Sequence, residues 1–219
     1  MLGKRGRHFF FLFFVFCSLH LSAQETQEVA PARNFIDIVG AATLADGSLE
    51  STTVDRRLFV FGAAYSRVLK RNNVVETRFT SEVIPMALLR EPFARFVGGQ
   101  NPSSSRFTVM RETYGFGASP LGIELDWLPR RKIQPFFGVQ GGFLRFDRNV
   151  LSFLSSKFNF TIDGRGGVRM ALPHERSISV AYAFEHMSNA YISRFNPGLD
   201  AHMITVTYRV PLRSFRAAR

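Results

Sequence analysis

From Phe158 to Leu172 the chain alternates between two kinds of side chain. Even positions carry Phe158, Phe160, Ile162, Gly164, Gly166, Val168, Met170 and Leu172, and odd positions carry Asn159, Thr161, Asp163, Arg165, Gly167, Arg169 and Ala171. A period of two is the mark of an extended strand with one apolar and one polar face. Comparable segments, each near the ~10 residues of a barrel strand, are predicted at 34–44, 57–69, 73–88, 113–128, 133–146, 157–172, 176–190 and 200–212. The connections alternate in length. Lys70-Arg71-Asn72, Pro129-Arg130-Arg131-Lys132 and Pro173-His174-Glu175 are short, whereas 45–56, 89–112, 147–156 and 191–199 are long. An even number of strands with this rhythm predicts an all-β fold, an eight-stranded antiparallel transmembrane β-barrel with short periplasmic turns and longer outer loops.

Such a barrel would turn its apolar face to lipid. Its lumen would hold Glu76, Arg78, Glu82, Glu124, Asp126 and Arg209. Mixed signs there predict paired networks, because a lone buried charge is costly. Eight strands leave an interior filled by side chains, so no pore is expected. The alternation shifts phase near Ala118-Ser119-Pro120, where a proline that cannot donate to the ladder predicts a bulge. The segment from Leu58 to Leu69 does not reveal which face is inward. Trp127 suits either an interfacial position or ordinary barrel packing.

Residues 1–23 read as a secretory signal peptide. Lys4, Arg5 and Arg7 precede an apolar run from Phe9 to Leu21, and Leu21-Ser22-Ala23 offers a cleavage site. The run is shorter than the ~20 residues of a membrane-spanning helix. Residues 24–33 form a periplasmic leader, and 34–219 the barrel domain. Cys17, the only cysteine, lies in the signal segment, so the mature chain would have no disulfide and no cysteine metal site. Removing Lys4, Arg5 and Arg7 lowers the formal charge from +11 to +8. That balance suits nucleic acid or an anionic surface. The basic residues are scattered and no nucleic-acid motif is visible, so anionic lipid is the better partner, with plain surface solvation as the alternative. The expected destination is the bacterial outer membrane.

The chemistry concentrates in His186-Met187-Ser188-Asn189-Ala190 and Asn196-Pro197-Gly198-Leu199-Asp200. Parity puts His186, Ser188 and Asp200 on the lipid-facing side, at the ends of two neighbouring strands beside an outer loop. Residues two apart on a strand share a face at ~6.6 Å, a gap an imidazole can bridge to a hydroxyl. A serine needs an adjacent base to become a nucleophile. The base needs a third group to fix its tautomer, and Asp200 on the next strand could supply it. Asn189 and Asn196 carry side-chain N–H groups that could face an oxyanion or organise the site. His and Ser can equally be plain interfacial residues at a barrel rim. His186, His202 and Asp200 could in principle hold a metal, His202 could meet a lipid phosphate or be merely interfacial, and His174 sits in a solvated turn. Arg57, Arg90, Arg95, Arg106 and Arg194, in or near outer loops, suit phosphate recognition or generic attraction to anionic lipid. A lipid ester is the expected substrate.

These two motifs resemble those of the outer-membrane lipid A 3-O-deacylases of the PagL type. Tyr114-Gly115-Phe116-Gly117-Ala118-Ser119-Pro120-Leu121-Gly122, Gln134-Pro135-Phe136 and Phe158-Asn159-Phe160 add to the likeness. It covers about 113–210, while 34–112 match mainly in layout. The resemblance implies an eight-stranded barrel and hydrolysis, without metal or other cofactor, of the hydroxyacyl ester at position 3 of lipid A. Carried over, Ser188 is the nucleophile, His186 the base, Asp200 the orienting acid, and Asn189 and Asn196 the oxyanion or site-organising residues. The family usually has glutamate where this chain has Asp200. Two other classes stay open: a non-catalytic structural or adhesive barrel, and a different outer-leaflet acyl enzyme.

Overall fold

The structure is a computed structural model that describes residues 33–46, 55–97 and 105–212. The predicted signal peptide and leader lie outside these residues, apart from Arg33. Eight strands follow in order: β1 (Asn34–Asp46), β2 (Arg57–Arg71), β3 (Val75–Val97), β4 (Ser105–Trp127), β5 (Ile133–Phe146), β6 (Phe158–Ala171), β7 (Ser177–Ser188) and β8 (Leu199–Pro211). Each pairs antiparallel with its neighbour, and β1 pairs β8 from Phe35↔Pro211 to Asp46↔Ala201, closing the barrel. Closure leaves no unpaired edge, the condition for crossing hydrocarbon in strands. The outer wall exposes Ile38, Phe61, Val83, Ile123, Ile162 and Val206 among many large apolar side chains. A soluble protein would hide so large an apolar surface; here lipid is its solvent. The molecule is an eight-stranded antiparallel transmembrane β-barrel, as the alternation predicts.

The turn end is built from local bonds. Asn72 Oδ1 accepts the N–H groups of Val74 (2.8 Å) and Val75 (2.7 Å). Gln134 Nε2 donates to the carbonyls of Pro129 (3.0 Å) and Arg131 (2.9 Å). His174, in the short Pro173–Glu175 turn, is exposed and far from the loop end. The predicted bulge is present: pairing slips between Ala118 and Leu121, so Pro120 and Leu121 both point outward and the phase inverts. In β2 the structure resolves the ambiguous faces, turning Leu58, Val60, Ala64, Ser66 and Val68 inward.

One expectation is corrected. Residues 89–112 are not a plain loop: β3 and β4 run 23 residues each, and their hairpin pairs from Leu88↔Tyr114 to Val97↔Ser105. That is about twice the ~9–11 residues needed to cross a bilayer. The charges and Pro92 read as loop, but Arg90 faces Glu112 and Glu91 faces Arg111 across the strands. Opposite charges placed directly across a ladder support it.

The lumen has two halves. Toward the turns, carboxylates and guanidiniums alternate. Arg209 grips Asp37 with two bonds of 2.7 Å and reaches Glu124 at 3.2 Å. Arg169 binds Glu124 at 2.8 Å and also Asp126. Arg78 binds Asp126 at 2.6 Å and also Glu76, which Arg71 meets as well. Toward the loops the lumen is apolar: Leu58, Val60, Ile84, Leu89, Leu144 and Phe146 pack with Val150, Leu151, Met187, Leu199 and Met203. This plug is the floor on which the loop-end residues stand.

Candidate active site

Pairing of β7 with β8 sets His186 directly opposite Asp200. His186 Nδ1 lies 2.6 Å from Asp200 Oδ1. An ionised carboxylate only accepts, so Nδ1 carries the proton and Nε2, across the ring, is left with its lone pair. Aspartate reaches because the register brings the two backbones face to face; a glutamate's extra methylene is not needed. Asp200 is completely buried although parity assigns it to the outward face, and the residues just before it, Pro197, Gly198 and Leu199, are buried too. The His186 side chain keeps a quarter of its surface exposed.

Ser188 is two residues beyond His186 on the same outward side, half-buried, opposite Phe160 of β6. The structure therefore brings His186 and Asp200 into contact and sets Ser188 beside them on the strand; Ser188 and His186 share no hydrogen bond in this resting arrangement of the described residues. Met187, between them in sequence, turns inward and is fully buried in the plug. The strand thus anchors the pair through the residue that separates them.

The two asparagines fall differently from one another. Asn189 is buried and its Nδ2 lies 2.9 Å from Ser155 Oγ, Ser193 Oγ and the Phe195 carbonyl. It ties the β7–β8 loop to itself and to the β5–β6 loop, and its amide does not face the rim. Asn196 Oδ1 accepts the Asn189 N–H at 2.8 Å, which leaves its Nδ2 as the end that can donate. Ala190 (φ 49°) and Tyr191 (φ 60°) are successive left-handed residues, and Gly198 (φ 63°) is a third at the return. Only glycine adopts that region freely. For Ala190 and Tyr191 the bonds around Asn189, with Ile192 N–H to the Asn189 carbonyl at 3.0 Å, hold the turn.

Apolar side chains ring the site. Phe143 stacks on Phe158 with centroids 5.2 Å apart, and Phe158 meets Phe160 edge-on at 5.2 Å. Phe153, Leu154, Tyr191, Ile192 and Phe195 stand exposed on the two loops that Asn189 joins. One rung below the pair, His202 lies opposite Phe184 (ring centroids 5.3 Å) and bonds the Tyr182 hydroxyl. Arg57 and Arg90 are exposed at the loop end, and Arg57 donates to the Leu44 carbonyl at 3.1 Å; the side chains of Arg95 and Arg106 lie outside the described residues. Ser155, Ser193 and the Arg56–Glu91–Arg111 cluster were not singled out from sequence. Serines in a loop carry no periodic signal, and those charges fell in segments read as loops.

The fold and rim together define a transmembrane β-barrel that carries a hydrogen-bonded histidine–carboxylate pair on its lipid-facing wall, with a serine beside it. The family profile described as lipid A 3-O-deacylase (PagL) matches residues 98–209, just over half of the chain, and the chain belongs to that family. Among solved structures, the outer membrane enzyme PagL is similar with a TM-score of 0.54 at 14% identity, covering 80% of this chain and 99% of that one. Neisserial surface protein A gives a TM-score of 0.43 at 14% identity, covering 81% of this chain and 97% of its own. OprG from Pseudomonas aeruginosa gives 0.43 at 13%, covering 83% and 97%. No curated relative matches the chain. At 14% identity the likeness to the PagL structure speaks for the barrel alone.

Proposed function

We propose that this protein is an outer-membrane esterase that removes the 3-O-linked hydroxyacyl chain of lipid A. Family membership supports the reaction class. The observation that carries the mechanism is the 2.6 Å His186–Asp200 bond on the lipid-facing wall, with Ser188 two residues further along.

In this mechanism Ser188 Oγ attacks the acyl carbonyl while His186 Nε2 takes its proton, and Asp200 stabilises the imidazolium. The tetrahedral intermediate collapses, breaking the ester, and His186 returns the proton to the departing sugar hydroxyl. Water, deprotonated by His186, then attacks the acyl-enzyme; the Ser188 Oγ–acyl bond breaks, His186 returns the proton to Ser188 Oγ, and a hydroxy fatty acid is freed. Asn196 is assigned as the oxyanion donor, because Asn189 is committed to holding the loops. The rhythm of long loops and short turns supports setting this rim at the outer leaflet. The exposed aromatic and aliphatic fringe gives the acyl chains an apolar surface to follow.

The test compares wild type with Ser188→Ala in a host outer membrane, reading lipid A by mass spectrometry. Loss of one hydroxyacyl chain with wild type only is the expected result. Identical profiles with both proteins folded and inserted would overturn the reading and leave a structural barrel.

A further inference from the structure

We propose that Glu91 is a positioning residue for the rim site: from the base of the β3–β4 hairpin it fixes the β5–β6 loop and, through Ser155 and Asn189, the turn that follows Ser188. This inference rests on the esterase reading for its kinetic effect, though not for its structural one.

Glu91 is 1% exposed and its carboxylate is fully engaged. Oε1 meets Arg111 Nη2 at 2.5 Å, and Oε2 accepts the Leu151 N–H at 2.8 Å and Arg56 Nε at 3.4 Å. Arg56 Nη2 also donates to the Leu151 carbonyl at 3.2 Å. Both backbone polar groups of Leu151 are thus held by this ionic cluster. Leu151 has φ 67°, a conformation that an L-residue keeps only when its surroundings enforce it. Arg111 adds a bond to the Asn149 carbonyl at 2.8 Å and stacks over Phe93 at 3.8 Å.

The loop fixed in this way reaches the site by two routes. Val150 and Leu151 pack in the same apolar plug as Met187 and Leu199, the inward residues flanking the His186–Asp200 pair. Ser155 accepts the Asn189 amide at 2.9 Å, and Asn189 directly follows Ser188. No strand ladder holds residues 189–198. Apart from the Ile192 N–H bond to the Asn189 carbonyl, the bonds described for this turn involve side chains, and one of them ends on a loop whose own conformation depends on Glu91. A buried carboxylate bound by two arginines and a backbone N–H is a rigid anchor, since each donor loses more than a neutral bond if it leaves.

The experiment uses the full-length protein, purified in micelles, as Glu91→Ala, Glu91→Gln, Ser155→Ala and the double Glu91→Ala/Ser155→Ala. Heat-dependent gel mobility checks barrel closure. Glu91→Ala is expected to lower kcat for lipid A deacylation about tenfold, with KM within about twofold. Glu91→Gln, which keeps an acceptor for Leu151, should recover part of the loss. Ser155→Ala should lower kcat similarly, and the double variant should be no worse than the worse single, as expected of two links in one connection. A folded Ser155→Ala with wild-type kcat overturns the proposal even if the Glu91 variants fail to fold; so do multiplicative losses in the double variant. A nitroxide at Tyr191→Cys in a Cys17→Ser background gives a readout free of activity. Its spectrum should become more mobile in Glu91→Ala, and an unchanged spectrum overturns the proposal. If wild type shows no hydrolysis, the esterase reading falls, and the nitroxide still decides this one.

Discussion

The two halves of the lumen solve the same problem with opposite chemistry. Near the turns, Asp37, Glu124, Asp126 and Glu76 alternate with Arg209, Arg169, Arg78 and Arg71. Near the loops, the filling is leucine, valine, phenylalanine and methionine. The ionic half sits where hydrogen-bonded strands already fix the backbone on all sides, so its charges need only find partners. The apolar half sits where strands end and loops must be held in shape. Close packing resists displacement in every direction, whereas a single ion pair resists mainly along one line; the Glu91 cluster, which serves the loop end alongside the plug, holds because three donors converge on one carboxylate. The groups proposed for chemistry stand over the packed half. There Met187 and Leu199 point inward while His186, Ser188 and Asp200 belong to the outward face.

The sharpest way to break this comparison is at the junction of the two faces. Asp200→Asn removes the charge behind His186 without changing the side chain's size. The imidazole then loses both its fixed tautomer and its counter-charge, and kcat should fall on the order of 10³–10⁴-fold. Asp200→Glu, the family's usual residue, should fare better than Asn but below wild type, because the Asp200 carboxylate is fully buried and already bonds His186 Nδ1 at 2.6 Å, so a longer side chain must shift to keep that bond. Deacylation kinetics on folded protein measure both. Equal rates for Asn and Asp would remove Asp200 from the mechanism.

A matched pair of variants tests the halves themselves. Arg209→Ala strands Asp37 and Glu124 without their shared cation and should cost about 3–5 kcal/mol of stability. Met187→Ala opens a cavity in the plug and should cost about 2–5 kcal/mol. The contrast is in activity. Folded Arg209→Ala should keep its kcat, because the ionic ladder is remote from the rim, whereas folded Met187→Ala should lose activity, since His186 and Ser188 flank the lost anchor. Unfolding titrations and single-temperature kinetics separate the two effects. Similar kcat losses in both would mean the lumen acts as one body.

The barrel was legible because a period of two leaves a plain trace wherever one face is apolar and the other charged, as in Phe158–Ala171. The trace failed in β2, where Leu58 and Val60 line the plug and both faces are apolar. It failed again at 89–112, where a hairpin extending past the other strands has no lipid to dictate alternation. The positions of His186, Ser188 and Asp200 followed from parity and loop rhythm. Asn189, an odd residue of the predicted segment 176–190, turns inward as parity requires; what it binds was not legible, because Ser155 and Phe195 lie 34 and 6 residues away. Glu91 was hidden for the same reason. Its meaning lies in contacts with Arg56, Arg111 and Leu151, and three strand-separated partners leave no local signature.

The smallest expected effect lies in the turn itself. Ala190 holds φ 49° next to Tyr191 at φ 60°. A left-handed L-residue costs roughly 1–2 kcal/mol, and glycine relieves it. Ala190→Gly should therefore stabilise the folded state by up to about 1 kcal/mol, less the extra freedom glycine gives the unfolded chain. If the bonds of Asn189 define the loop, glycine changes nothing they hold, and kcat should stay within about twofold, which is under 0.5 kcal/mol. A large loss of kcat alongside a gain in stability would mean that strain at Ala190, not the asparagine bonds, aims Ser188 at its substrate. The apolar plug would then be a floor for the site but not its guide.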